Sequence, residues 1–403
     1  MEYVLLSKLF YQDREKQKAL YQKRYESEST YHFNFYVKEH PAFCVISKEI
    51  HALCCNIYEY KSKLYEMLSQ IPGDIINHFT KTCLIDEVKL TNEIEGVQST
   101  RQEINALIEH LPSRKKNSRL YGLVKKYLLL LDINEEIPLN ACEDIRSLYN
   151  ELCLPEVIAE DKNNAPDGKL FRKEIVNVLS PTQKPIHQGS YPEAKIISEM
   201  EQALNILHDE KIPSLIRIAV FHYLFGYIHP FYDGNGRMSR YISSLYLNDE
   251  LDILCALQLS SSCKERKNDY YRAFKFTNDV RNKADLTGFV IIFLEIIVTG
   301  LENLLEIVSD KLEQYNLNKK MLKEICDKED VYHLLNVFLQ CTLFDNEGLS
   351  YYDLMNITNL SRTTIINKIK DIKNSSLKDL LIERKISREK HYQLNIDKLY
   401  DMV

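Results

Sequence analysis

The sequence predicts a mainly α-helical protein: a helical bundle broken by a β-hairpin flap, with a short hairpin near the N-terminus and a winged helix at the C-terminal end. Three observations carry that prediction. From about Lys48 onward, apolar residues recur every three or four positions, the period of a helix with one buried face. One stretch, FRKEIVNVLSPTQKPIHQGSYPEAK, breaks this pattern: it alternates from Glu174 to Val178, then runs through Ser, Pro, Thr and Gly, as a β-hairpin or flap does. Beyond residue 331, GLSYYDLMNITNLSRTTIINKIKDI reads as helix, turn, helix, and LIERKISREKHYQLN follows as a candidate hairpin; that order suggests a winged helix.

Each element has its own local cause. YHFNFYV and AFCVIS read as two short strands across the turn KEHP. IHALCCNIYEYKSKLYEML is a helix ended by Ile71-Pro72-Gly73, and GDIINHFTKTCLIDEVKLTNEIEG is the next, with Asp74 as its cap and Gly96 as its stop. STRQEINALI starts another, with Thr100 and Glu103 at capping-box spacing. Pro213 opens PSLIRIAVFHYLFGYIH, because the first turn of a helix loses nothing when an N–H is missing. The most apolar segment, FVIIFLEIIVTG, is short of a membrane span and carries Glu295 in its middle, so it reads as a buried core helix. These patterns divide the chain into an N-terminal region (1–110), a core (111–305), a connecting helix (306–330) and the winged helix (331–403).

Composition narrows the function. The 403 residues include 52 Lys and Arg against 58 Asp and Glu, a formal net charge of −6; this excludes a chain-wide pull toward nucleic acid or an anionic membrane. The ten cysteines form no CxxC pair, so a structural zinc site has no spacing to support it. The opening MEYVLLSKLFYQDREK lacks the pattern of a secretory signal. Reduced thiols and a cytoplasmic location are therefore expected.

The chemistry concentrates in HPFYDGNGRMSR, residues 229–240. The chain holds only eleven glycines, yet Gly234 and Gly236 fall within three residues here. They stand between a buried helix and MSRYISSLYLNDE, which resumes helical spacing. A helix N-terminus presents unpaired N–H groups and a positive dipole end, and glycine lets a phosphate approach that backbone. Asn235 adds an amide donor, and Arg237 and Arg240, three residues apart, can reach further phosphate oxygens. Asp233 would repel a phosphate by itself, so it points to Mg²⁺ bridging two phosphates. His229 is the natural proton acceptor near neutrality. Such a set suits transfer of a phosphorus group from a nucleotide to a hydroxyl.

HPFYDGNGRMSR resembles the active-site motif of Fic-domain proteins, HxFx(D/E)GNGRxxR, at every specified position. The resemblance implies a Fic-type helical bundle with a hairpin flap, and adenylylation: AMP passes from ATP to a Ser, Thr or Tyr hydroxyl of a target protein, and pyrophosphate leaves. On that reading His229 deprotonates the hydroxyl and Asp233 holds Mg²⁺. Gly234, Asn235, Gly236 and Arg237 bind phosphates, and Arg240 takes the γ-phosphate. NDYYRAFKFTND is similar to the family's nucleoside-pocket segment, which implies Tyr270, Tyr271 and Asn278 near the adenosine. The flap implies strand addition of the target, with Val176 as its docking residue.

TNEIEG, residues 91–96, resembles the inhibitory motif (S/T)xxxE(G/N) of autoinhibited family members. It implies that Glu95 pairs with Arg240 and takes the donors that the γ-phosphate needs. In some such members the same Glu also serves removal of AMP from the target. The implied partners are ATP and hydroxyl-bearing target proteins, the chain itself included, with homo-oligomers also in view and no membrane. A second reading, from a different class, is a DNA-binding regulator that uses the core as a nucleotide sensor. In it, LSRTTIINKIKDI is the recognition helix, capped by Ser361 and opening with Arg362, Thr363, Thr364 and Asn367. Lys368, Lys370, Lys373, Arg384, Lys385, Arg388 and Lys390 supply basic charge there, interleaved with Asp371, Asp379, Glu383 and Glu389.

Overall fold

The N-terminal hairpin pairs Thr30–Val37 with His40–Val45 antiparallel, and Val37 faces His40 across a turn of Lys38 and Glu39. The turn is thus shorter than KEHP, and Pro41 already lies in the second strand opposite Tyr36. A computed structural model of the chain describes residues 3–110, 120–132, 137–179, 185–345, 348–386 and 389–402. They fall into two units, one of residues 1–61 and 84–302, the other of 62–83 and 303–403. Among the described residues helices predominate, and three sheets form, each of two strands.

In the first unit, helix Ser214–Ile228 is the centre. Leu215, Ile216, Ile218, Ala219 and Val220 are buried, and so are Phe221, Tyr223, Leu224, Phe225 and Ile228. Burial on all sides matches its apolar sequence. Helices Glu193–Leu207 and Asn235–Glu250 pack on either side of it. Pro213 stands just before its first residue as the N-cap. The flap consists of Asn177–Leu179 and Pro185–Gln188, with Asn177 facing Gln188 and Val178 facing His187; residues 180–184, the predicted loop, lie outside the described residues.

Two local expectations need correction. Helix Gly73–Ile94 begins at Gly73, and the Pro72 carbonyl accepts the N–H groups of Ile75 and Ile76 at 3.0 and 3.2 Å. Pro72 therefore caps it, and Asp74 sits in the first turn, where its charge meets the positive dipole end. The helix read from FVIIFLEIIVTG extends over Thr287–Ile325, 39 residues. By length and composition it could cross a membrane, yet 67% of its most apolar window is buried within the protein. Phe289, Val290, Phe293, Leu294 and Ile296 are in the core, which accounts for its composition. Thr100 Oγ1 accepts the Glu103 N–H at 3.1 Å, as the capping spacing requires. All ten cysteines are free thiols.

In the second unit, helices Tyr351–Thr358 and Arg362–Lys373 meet at Asn359, whose φ is 54°. Ser361 Oγ caps the second of them, accepting the Thr364 N–H at 3.1 Å. Strands Leu381–Ile386 and Glu389–Leu394 then form the hairpin, and Leu349 bridges to Tyr392 beside it. Leu354, Ile365, Ile369, Ile372, Tyr392 and Leu394 are buried.

Candidate active site

The buried helix ends at His229, its C-cap, in the left-handed region at φ 53° and ψ 63°. That conformation is costly for a residue with a side chain and persists only where its surroundings fix it. Its N–H donates to the Phe225 carbonyl at 2.9 Å, and Pro230 cannot continue the helix. Five residues on, Gly234 has φ 83°, and a Cβ there would lie 3.0 Å from Cys153 Cβ. Glycine is needed for both reasons. Helix Asn235–Glu250 starts immediately after it, so its unpaired first-turn N–H groups face back toward His229.

Asn235 locks the turn: its Oδ1 accepts the Phe231 N–H at 3.0 Å and its Nδ2 donates to the Phe231 carbonyl at 2.8 Å. Phe231 in turn stacks on Tyr149, with centroids 3.7 Å apart. The side-chain amide is thus committed to the loop, and what Asn235 keeps for a ligand is its backbone N–H and second amide hydrogen. A cavity of about 150 Å³ opens at this point. His229, Asn235, Gly236 and Arg240 line it, together with Glu95, Tyr270, Tyr271 and Asn278. Tyr270 is held by His222, whose Nε2 lies 2.7 Å from its hydroxyl and whose Nδ1 lies 2.8 Å from Ser243 Oγ. Asn278 Oδ1 accepts from the Tyr223 hydroxyl at 2.8 Å.

Three residues of the motif stand elsewhere. Gly234 packs behind the turn, against Cys153 and Tyr149. Arg237 is buried and bonded to Glu156 at 2.5 Å, with Asp233 at 3.8 Å. Asp233 is more exposed and accepts the Gly234 N–H. Val176 also stays off the cavity, its carbonyl accepting the Gly189 N–H at 3.0 Å. Among the described residues, the flap side chains that line the cavity are Val178 and His187, a cross-strand pair. Alternation alone would put Val176 and Val178 on one face, but the paired strand begins only at Asn177, so Val178 is held opposite His187 while Val176 lies before that strand starts.

Glu95 reaches the cavity from helix Gly73–Ile94. That helix stops because Gly96 adopts φ 82° and the Val97 N–H returns to the Asn92 carbonyl at 3.0 Å, a left-handed glycine stop. Arg240 Nη2 donates to Glu95 Oε1 at 2.7 Å and to the Thr91 carbonyl at 3.0 Å, and its Nε donates to Thr91 Oγ1 at 2.9 Å. The guanidinium is 1% exposed and the carboxylate 28%. A Cβ on Gly236 would collide with that carboxylate, 2.7 Å from Glu95 Cδ and 3.1 Å from Arg240 Nη1. Glu95 therefore covers the bare face of the glycine at the helix N-terminus. Below it on the same stripe, Glu87 is fully buried and accepts the Ser260 N–H at 2.9 and 3.1 Å and the Ser260 hydroxyl at 2.6 Å. Burial lifts its pKa to about 7 against the pull of those bonds.

His229 is held neutral. Burial, then the Arg172 and His187 charges, push its pKa down to about 4, against the Gly226 carbonyl and Glu95. Burial likewise pushes His187 down to about 4. The sequence offers no signal for Arg172 or His187, because neither belongs to a local pattern; only the fold brings them beside His229.

Residues 142–247 match the family model described as Fic/DOC family. Among solved structures, the chain is similar to a Fic family protein from Desulfovibrio desulfuricans G20, at 20% identity over 87% of this chain and 97% of that one, with a TM-score of 0.53. It is also similar to Fic-1 from C. elegans (17% identity, 63% of this chain and 72% of that one, TM-score 0.43). A third is a Fic domain containing signaling protein from Bacteroides thetaiotaomicron (18% identity, 63% and 97%, TM-score 0.40). The matched segment runs from the helix beneath the turn through most of the helix that carries Arg240. The match to the Fic/DOC family model thus covers the segment that carries both His229 and Arg240.

Proposed function

We propose that the protein transfers AMP from ATP to a Ser, Thr or Tyr hydroxyl of a target protein and of itself, and that Glu95 holds this activity back. One observation carries the reading: a neutral, half-buried imidazole, a helix N-terminus with a glycine face and a guanidinium occluded by a carboxylate line a single cavity.

Neutral His229 accepts the proton of the attacking hydroxyl as its oxygen bonds to the α-phosphorus and pyrophosphate leaves. The first-turn N–H groups of helix Asn235–Glu250 bind charge that grows on the phosphate oxygens. Arg240, once released from Glu95, takes the γ-phosphate, and Tyr270, Tyr271 and Asn278 surround the nucleoside. Val178 and His187 replace Val176 as the flap residues next to the acceptor. Arg237 then acts through the loop, fixing Glu156 and Asp233 rather than touching phosphate.

Among the described residues no three His, Cys, Asp or Glu cluster as a metal site. Asp233 is a lone, partly exposed carboxylate beside the helix N-terminus, which suits Mg²⁺, an ion bound by one carboxylate plus substrate phosphates. When bound, Mg²⁺ would neutralise phosphate charge there.

The cavity supports the brake as well. At about 150 Å³ it falls below the roughly 300 Å³ at which small-molecule sites begin, and Glu95 takes up part of the space. Intact-mass spectrometry after incubation with ATP and Mg²⁺ tests the proposal. Glu95→Gly should gain the mass of one AMP faster than the parent, and His229→Ala should gain none; equal labelling by His229→Ala and the parent overturns it.

The DNA-binding reading has less support. Lys368 is paired with Asp330, and Lys373 and Lys390 share Glu383, so two carboxylates within the unit offset part of the basic charge near the second helix. Arg388 lies outside the described residues.

A further inference from the structure

Arg172 is fully buried, and no carboxylate pairs with it among the described residues. An unpaired buried cation is expensive unless its donors are satisfied. Here four of its five N–H groups are engaged, by main-chain carbonyls alone. Nε donates to His229 O at 2.8 Å, Nη1 to Glu174 O at 2.6 Å, and Nη2 to Ser190 O at 2.9 Å and Ile228 O at 3.4 Å. Two of those carbonyls belong to the turn that carries His229, and the other two to the opposite stems of the flap. Backbone bonds reinforce the junction: the Arg172 N–H donates to Pro230 O at 3.2 Å and the Ser190 N–H to Ile228 O at 3.0 Å. Gly189 leaves room for it, since a Cβ there would collide with the guanidinium and lie 3.0 Å from His229 Cβ.

We propose that Arg172 is a positioning residue for the transfer reaction: it holds the His229 backbone in its left-handed turn and fastens the flap to that turn, so that base and acceptor keep one geometry. This rests on the transfer reaction proposed above. The planar fork is essential, because a lysine ammonium cannot span carbonyls on three separate segments. The positive charge has a second consequence. Among the groups facing the His229 imidazole, Arg172 and His187 oppose its protonation and Glu95 favours it.

The test uses the full chain with isotope-labelled histidine and follows the titration of His229 by NMR without nucleotide or target. In Arg172→Gln the midpoint should rise by about one unit, a tenfold gain in proton affinity, because the opposing charge is gone. In Arg172→Lys it should stay at the parent value. Kinetics in a Glu95→Gly background supply the second readout: in Arg172→Lys kcat should fall about tenfold or more, with the KM for ATP little changed. An unshifted midpoint in Arg172→Gln, or full kcat in Arg172→Lys, overturns the proposal. Should Glu95→Gly itself transfer no AMP, the transfer reading fails, and the titration still decides the role of Arg172.

Discussion

Replacing Glu95 should raise activity and lower stability together. The contact at stake is a 2.7 Å charge-assisted hydrogen bond onto a guanidinium that is 1% exposed. Such bonds contribute about 1.5–3 kcal/mol when desolvated. The carboxylate is 28% exposed, so solvent screening reduces this to about 1–2 kcal/mol. Glu95→Gln keeps the shape and removes the charge, so the productive pose of ATP should gain about 5- to 30-fold, at 1.4 kcal/mol per tenfold. Glu95→Gly also uncovers Gly236 and enlarges the cavity, and should exceed Glu95→Gln. In both variants Arg240 keeps its two bonds to Thr91 but loses its counter-charge. Unfolding free energy should drop by about 1–3 kcal/mol, less than the cost of breaking a fully buried pair. The assay is the initial rate of AMP incorporation at saturating ATP, beside a thermal melt of the same samples. A Glu95→Gly variant that melts lower yet labels no faster would refute the occlusion argument. It would show that Arg240 is needed for the fold and that Glu95 is only its partner.

Other outcomes follow from the same geometry. With Glu95→Gly, kcat/KM should hold from neutrality down to about pH 5 and fall only at about pH 4 or below, because the carboxylate that favours His229 protonation is gone; an acid limb near 6.5, the free imidazole value, would contradict the depression of its pKa by desolvation. Glu87 has a raised pKa of about 7 against 4.5, so the folded state binds its proton more tightly than the unfolded state does. Its effect on stability is most favourable below about pH 4.5 and is lost as pH rises to about 7; Glu87→Gln should flatten that part of the stability profile in chemical unfolding. Gly236→Ala should abolish AMP incorporation even with Glu95→Gly, because the added methyl covers the face a phosphate must approach. Ser361→Ala should cost about 1 kcal/mol by removing the cap of helix Arg362–Lys373, read as a lower melting temperature.

What the sequence could disclose depended on how local the cause was. The turn at 229–240, the stops at Gly96 and Ile71-Pro72-Gly73, the cap at Ser361 and the hairpin at 381–394 each follow from a few neighbouring residues, and each forms. The contact of Glu95 with Arg240 spans 145 positions, and only the resemblance of two short motifs pointed to it. Residues whose work depends on tertiary placement carried no mark. Arg172 looks like an ordinary basic residue at the start of a loop, and His187 like one polar residue in a strand. Val178 and Val176 cannot be told apart without the register of a strand that contains a bulge. The bond of Arg237 to Glu156 carried no mark either, because its partner lies 81 positions away.

The two glycines of the motif therefore serve different ends. Gly234 is glycine for its own backbone, since φ is 83° and Cys153 and Tyr149 fill the space behind it. Gly236 sits in a regular helix and needs no special dihedral. It is glycine because something negative must come close to the helix N-terminus. In this structure that negative group is the Glu95 carboxylate, held there by Arg240. The same face and the same guanidinium are what a phosphate chain would need, so on the proposed function the carboxylate and the nucleotide would compete for one place by the same chemistry. The brake proposed above would need no movement of the turn that carries His229. Arg172 and Asn235 can keep His229 and its loop fixed throughout, while only the end of helix Gly73–Ile94 has to yield.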